Sequence, residues 1–302
     1  MINYSVSKFL RAVITMLIAV SLVFIFIRFS GDPAAALAPP DASQEVIDQY
    51  TEMLGLDKPL WLQYTNYLKG LIQGEFGYSL HTGRAVEDIF LERLPFTLNL
   101  GITAFFISLF CGVPLGFYAA LNRGSNLDRV VMGFSVFAFA MPNFLFGLLM
   151  ILIAALWFNA YLGGEAANVL FPAMTLGLAS MGSFARFSRS SLLEVINAPY
   201  MYAAEARGIL FHRRMLFHAL PNAAIPLVTL IGLSLGGLIA GSVVTEQVFA
   251  WPGVGQLLVR SVATRDLAMV QFIVLSVSFT MVTANLLVDL LYLFIDPRIR
   301  VD

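Results

Sequence analysis

Residues 199–226 read PYMYAAEARGILFHRRMLFHALPNAAIP, a short polar and basic stretch between two long apolar runs. Ala203, Ala204 and Ala206 are small helix formers, and Gly208 offers that helix a stop. Arg207, Arg213 and Arg214 place three cations close together. Two readings are open on these residues alone. A short helix with small side chains, held at a membrane surface, suits docking into a groove on another protein. Alternatively, this is an ordinary loop kept inside by its positive charge.

Working outward, the composition fixes the class. Of 302 residues, 59% are hydrophobic and 12% charged, against about 25% charged in soluble domains, so the chain is a membrane protein. The single cysteine, Cys111, excludes an intrachain disulfide and reads as a small buried hydrophobe in an apolar run. Three histidines (His81, His212, His218), without an HExxH or a Cys/His cluster, suggest no metal site. The three lysines, Lys8, Lys58 and Lys69, are none of them preceded by glycine, so there is no Walker A sequence and no route to ATP through one. Nothing in the composition points to nucleic acid.

The apolar runs predict an all-α, multi-pass protein with six transmembrane helices. Residues 1–30 form a short head and an uncleaved first span. Residues 31–93 are too polar for lipid and predict a small helical insertion outside the bilayer between helices 1 and 2. Within it, Asp41 with Gln44 can cap a helix over 42–54, and Pro59 can open a second one. Residues 94–302 carry helices 2–6 at about 95–121, 130–158, 168–188, 222–245 and 268–295, each near the ~20 residues a span needs. The loop 189–221 lies between the fourth and fifth, and Pro142-Asn143 marks a break inside the third. With the amino terminus inside, 11 of the 18 Lys and Arg residues fall on the cytoplasmic side, with the bias clearest in the short loops. Both termini and the 199–214 segment are therefore expected in the cytoplasm, and 31–93 outside.

Further residues carry candidate roles. Gly232, Gly236, Gly237 and Gly241 have spacings of four that allow close helix packing, either within the subunit or across a pore to a partner subunit. Asp289 is the one carboxylate inside an apolar run, readable as part of an ion relay or as a buried hydrogen-bonding partner. Arg186 and Arg189 read as anchors at the lipid headgroups. The 246–266 loop, with Trp251, Pro252 and Gly253, suits a structure tucked into the outer mouth.

The spacing within 199–221 resolves the opening ambiguity. Ala203-Ala204, three residues, Gly208, nine residues, His218, one residue, Leu220-Pro221 resembles the cytoplasmic motif of ABC importer permeases, E-A-A, three residues, Gly, nine residues, Ile, one residue, Leu-Pro. Tyr202 and His218 replace Glu and Ile, as is usual in the dipeptide/oligopeptide/nickel branch. Matching stretches run through the chain: GDP (31–33), GLDKPL (55–60), GEFGYSL (74–80), ERLPFTL (92–98), VVTEQVFAWPGVG (243–255) and DPRIR (296–300). The resemblance implies the type I importer permease fold in a bacterial inner membrane. It further implies a pore-forming subunit that is not itself an enzyme. ATP and Mg are bound by two separate cytoplasmic ATPase subunits, and this chain holds no cofactor. A second homologous permease completes the pore, and a periplasmic binding protein delivers substrate. The segment from Pro199 to Gly208 would be the ATPase-coupling helix, with Tyr200, Tyr202, Ala203, Ala204, Glu205, Arg207, Gly208, Leu220 and Pro221 as its motif residues. Pro221 and Pro226 would break the chain before span five. Di- or oligopeptides are the expected substrate, with nickel chelates, glutathione and oligosaccharides as alternatives. A stand-alone ion-coupled transporter using Asp289 is the competing class.

Overall fold

Small residues at a spacing of four decide how the two central helices meet. The computed structural model describes residues 2–29, 34–35, 42–53, 55–158, 168–237 and 242–295. Its helices are α1 (Ile2–Phe29), α2 (Gln44–Met53), α3 (Leu60–Gln73), α4 (Val86–Leu121), α5 (Asn126–Ala140), α6 (Asn143–Phe158) and α7 (Leu170–Ile196). They continue with α8 (Pro199–Ala206), α9 (Phe211–Arg214), a π turn (Met215–Ala219), α10 (Leu220–Gly236), α11 (Val243–Val248), α12 (Val254–Ala263) and α13 (Leu267–Ile295). No strand occurs among the described residues. On α4, Ala104, Ser108, Gly112 and Gly116 are all buried and lie along one stripe. They meet Gly177, Met181 and Ala185 of α7 so closely that a Cβ on Gly112 would sit 2.7 Å from the Met181 carbonyl oxygen. The Ser108 hydroxyl donates to the Gly177 carbonyl at 2.9 Å across the same contact.

Four helices are long and apolar enough to cross a membrane, and a fifth crossing follows if α5 and α6 count as one. The remaining expected span, the fourth, is α7, whose 27 residues cover about 40 Å. It is more polar than the long apolar spans, and much of its polar surface is inside the bundle. Thr175, Ser188 and Ser191 are buried against protein rather than lipid.

Three boundaries differ from the sequence expectation. The expected helix over 130–158 is instead α5 and α6, bent by 106°. Pro142 supplies no N–H, and Met141 before it is extended at φ −77, ψ 126. Span two, expected from about residue 95, begins earlier at Val86, so α4 runs 36 residues through Pro95 and Pro114. The span expected over 222–245 starts earlier and ends at Gly236. The chain is helical from Phe211 onward, and Pro221 and Pro226 do not break it. A π turn, with the Leu220 N–H donating to the Met215 carbonyl, accommodates the register just before Pro221. Cys111 also departs from expectation, since it is exposed on α4.

Arg189 is an internal ion pair, not a headgroup anchor. Its guanidinium donates to both Asp128 oxygens at 2.6 and 2.8 Å, tying α7 to the first turn of α5. Asp128 also accepts from the Gly124 N–H, and the Ser125 hydroxyl caps the Asp128 N–H. Arg186 lies over the Phe139 ring at 4.7 Å. Asp128→Asn leaves Arg189 without a charge partner in a site where Asp128 is 4% exposed. The expected loss is about 3 kcal/mol, read as a lowered melting temperature, with most of it recovered in Asp128→Leu/Arg189→Met.

Candidate functional site

The two ends of α4, about 54 Å apart, carry different chemistry. At one end, Ala120 joins Leu192, Met201, Ala219 and Ala223 in a buried cluster, which seats α8 on the bundle. Pro199 opens α8 at its first turn. The helix stops in a Schellman arrangement: the Gly208 N–H donates to Glu205 O at 2.8 Å and the Ile209 N–H to Ala204 O at 3.1 Å. That geometry needs a left-handed residue, and Gly208 has φ +75.

Met201 and Ala204 are buried and face the chain's own core, while Tyr202, Ala203, Glu205, Ala206, Arg207 and Gly208 are exposed. The opposite face of α8 is thus Tyr202, Ala203 and Ala206, a small-residue surface with an aromatic edge. Tyr200 is exposed at its side. Ala204 is therefore packed against the chain itself. Leu220 is half-buried and Pro221 exposed in the following helix. Met201 was not singled out from the sequence, although its position three before Ala204 carried the signal. Glu205 is already paired within the chain, 2.8 Å from Arg214. Arg214 holds the Glu205 carboxyl below the usual carboxylate range by hydrogen bonding to it. A lowered folded-state pKa means the pair stabilises above the unfolded carboxylate value and is lost as pH falls through the lower folded value. Amide exchange in 205–214 should accordingly rise at acidic pH, and Glu205→Gln should raise it at neutral pH.

Between the ends, a cavity of about 230 Å³ is lined by Ser108 of α4, Ser180 and Phe184 of α7, and Ser234 and Gly237 of α10. Among the described residues, its walls offer hydroxyls and no charged side chain. Of the expected packing glycines, Gly232 is buried and Gly237 lines this cavity. Gly241 and the side chain of Asp289 lie outside the described residues, and for Gly236 only its place in the helix is described.

At the far end, Glu246 is fully buried, a residue that sequence reasoning left as a loop boundary. It accepts from the Thr97 and Ser242 hydroxyls at 2.8 Å and from the Gln256 N–H at 3.1 Å. Thr97 in turn accepts from the Val254 N–H at 2.8 Å. The carboxylate and the Thr97 hydroxyl so satisfy the open amides of α12. Gly253 and Gly255 leave the room: a Cβ on Gly253 would strike the Glu246 carboxylate, and one on Gly255 would lie 2.5 Å from Val243 Cα. The turn is made at Ala250, φ 49, and by a Gly253 N–H donating to Trp251 O. Trp251 is buried and its indole donates to Phe96 O at 3.0 Å. Glu246→Gln keeps the shape but cannot accept from both sides, so it should cost about 1–3 kcal/mol of thermal stability.

Residues 112–301 match the family described as binding-protein-dependent transport system inner membrane component, and 1–101 match its N-terminal region. The chain belongs to this permease family. It is 38% identical over 304 residues, 99% of each chain, to the glutathione transport system permease protein GsiC of Escherichia coli strain K12. Identity to the Salmonella typhi GsiC is 39% over the same length and coverage. Two inward-facing structures of the MetNI methionine ABC transporter share the fold. One has TM-score 0.58 at 19% identity, covering 69% of this chain and 96% of the other. The second has TM-score 0.52 at 21% identity, covering 66% and 94%. The permease is therefore the membrane-embedded subunit of an ABC importer, and ATP hydrolysis belongs to a separate subunit. This family membership sets aside the stand-alone ion-coupled transporter.

Proposed function

We propose that this permease carries small peptides, tripeptides such as glutathione included, delivered by a periplasmic binding protein. The observation that carries this reading is the 38% identity to glutathione permeases across 99% of both chains. The neutral serine-lined cavity fits it, because hydroxyls can exchange hydrogen bonds with peptide groups without trapping either charged end. In the same reading both termini and α8 face the cytoplasm, and a second homologous permease completes the pore. Two ATPase subunits bind ATP and Mg. The Tyr202–Ala203–Ala206 face of α8 sits in a cleft of one of them, with Arg207 at its rim. Closure of the ATPases moves α8, which the buried Met201 links to Ala120 of α4 and Leu192 of α7.

Uptake into vesicles holding the complete importer tests the substrate. ATP-dependent accumulation of radiolabelled glutathione or dipeptides is the expected result. Uptake of a nickel chelate or an oligosaccharide, with no peptide uptake, overturns the peptide assignment.

A further inference from the structure

α3 belongs to the polar insertion, yet it rests against the apolar stretch of α1. That stretch runs Val6–Phe26. Tyr64 of α3 and Ser21 of α1 share a hydrogen bond of 2.7 Å between their hydroxyls. The Phe24 ring meets Tyr64 at 5.3 Å and Tyr67 at 5.6 Å. Burial pushes the Tyr67 phenol up to about 12, as expected for a group withdrawn from water. α3 is thus level with the last turns of a membrane span.

Beneath this contact lies a cleft of about 480 Å³ between α1, α3 and α13. Met16 and Val20, Leu71, and Ser276, Phe279 and Thr280 are among its walls. Met16 stands at the midpoint of the apolar stretch of α1, so the cleft reaches from α3 towards the bilayer centre. Along α13 its lining covers about 12 Å, from Phe272 to Thr280. Water has little to hold it there. Among the described residues lining it, Ser276 and Thr280 bring the only side-chain hydroxyls, and that of Thr280 already donates to the Ser276 carbonyl at 2.8 Å. The cleft is continuous with the lipid-facing surface of α1, where Leu17 and Phe26 are exposed.

The outward side of α3 has matching chemistry. Trp61 and Ile72 are 67% and 87% exposed, about a quarter-turn from Tyr64 and Leu71, with exposed Lys69 beside them. Exposed Trp and Ile with a Lys on one helix suit the headgroup layer.

We propose that this cleft is a phospholipid site. An acyl chain from the leaflet on the α3 side fills it, and α3 lies in the headgroup layer with Trp61 and Ile72 turned towards the acyl chains. The occupant is lipid because α1, α3 and α13 open to the bilayer at this level.

The assembled importer in bilayer discs, with phosphatidylethanolamine bearing a photoreactive acyl chain, provides the test. Adducts are expected on Val20, Leu71 and Phe279. Ser276→Phe fills the cleft and should remove those adducts while leaving the ones on Leu17 and Phe26. Absence of cleft adducts in the unmodified chain, or their persistence in Ser276→Phe, overturns the site. A nitroxide on Ile72→Cys, in a Cys111→Ser background, gives a reading that does not depend on the filled variant. Relaxation by oxygen should exceed that by a water-soluble nickel chelate. Dominance of the chelate means that α3 faces water, and immobilisation only when the binding protein is added means that it faces protein. Either result overturns the proposal.

Discussion

Gly116→Leu is expected to prevent the permease from assembling into a stable bundle. A Cβ at this position would overlap the Ala185 carbonyl and lie 2.8 Å from Ser188 Cβ. The obstacle is the main chain of α7, so no rotamer change relieves it. A leucine adds further atoms to a contact already at its limit, and the two helices must separate along much of their length. Ser108 then loses its bond to the Gly177 carbonyl. The cost is about 3 kcal/mol or more, at the upper end for overpacking, because backbone must move. Gly133→Leu is the comparison, since a Cβ there meets nothing within 4 Å. That variant exchanges glycine for a better helix former and should run as a monodisperse peak in detergent, whereas Gly116→Leu should aggregate or melt many degrees lower. Equal melting of the two would show that the α4–α7 contact is not what holds the bundle.

This contact also shows what the sequence makes legible. The small residues at 104, 108, 112 and 116 were as visible as the glycines of α10, but fewer of them are glycine, so the stripe did not stand out. Spans were readable from apolar length, and the break at Pro142 from the chemistry of proline. The angle at that break was not, because it depends on what α5 and α6 pack against. Arg189 looked like an anchor because its partner, Asp128, is 61 residues away. Glu246 was missed for the same reason: Thr97 reaches it across 149 residues. Gly253 was read as a turn maker, while the structure uses it to clear space for the Glu246 carboxylate. Local periodicity shows which residues share a face. It does not show which side of α8 is turned inward, and that required Met201 to be found in the core.

Ala203→Asp should abolish transport while leaving the permease folded. Ala203 is exposed and lies on the face of α8 away from Met201 and Ala204, so a carboxylate there disturbs nothing within the chain. In the proposed complex the same carboxylate enters an ATPase cleft, where a charge without a partner costs several kcal/mol. At 1.4 kcal/mol per tenfold, uptake should fall by at least a factor of ten to a hundred, and ATP hydrolysis should no longer respond to the loaded binding protein. Ala204→Leu is expected to behave in the opposite way. It overfills the core beneath α8 and should lower thermal stability by about 1–3 kcal/mol before it affects coupling. Gly208→Ala separates a third effect. No neighbour lies within 4 Å of its Cβ, so the only strain within the chain is the left-handed backbone at φ +75, about 1–2 kcal/mol at the end of α8. Uptake in Ala203→Asp equal to the unmodified importer would sink the assignment of this face to the ATPase. Loss of uptake together with loss of fold would mean that Ala203 is part of the core. Loss of uptake in a fully folded complex, with hydrolysis continuing, distinguishes force transmission from mere attachment, because a detached ATPase would not copurify.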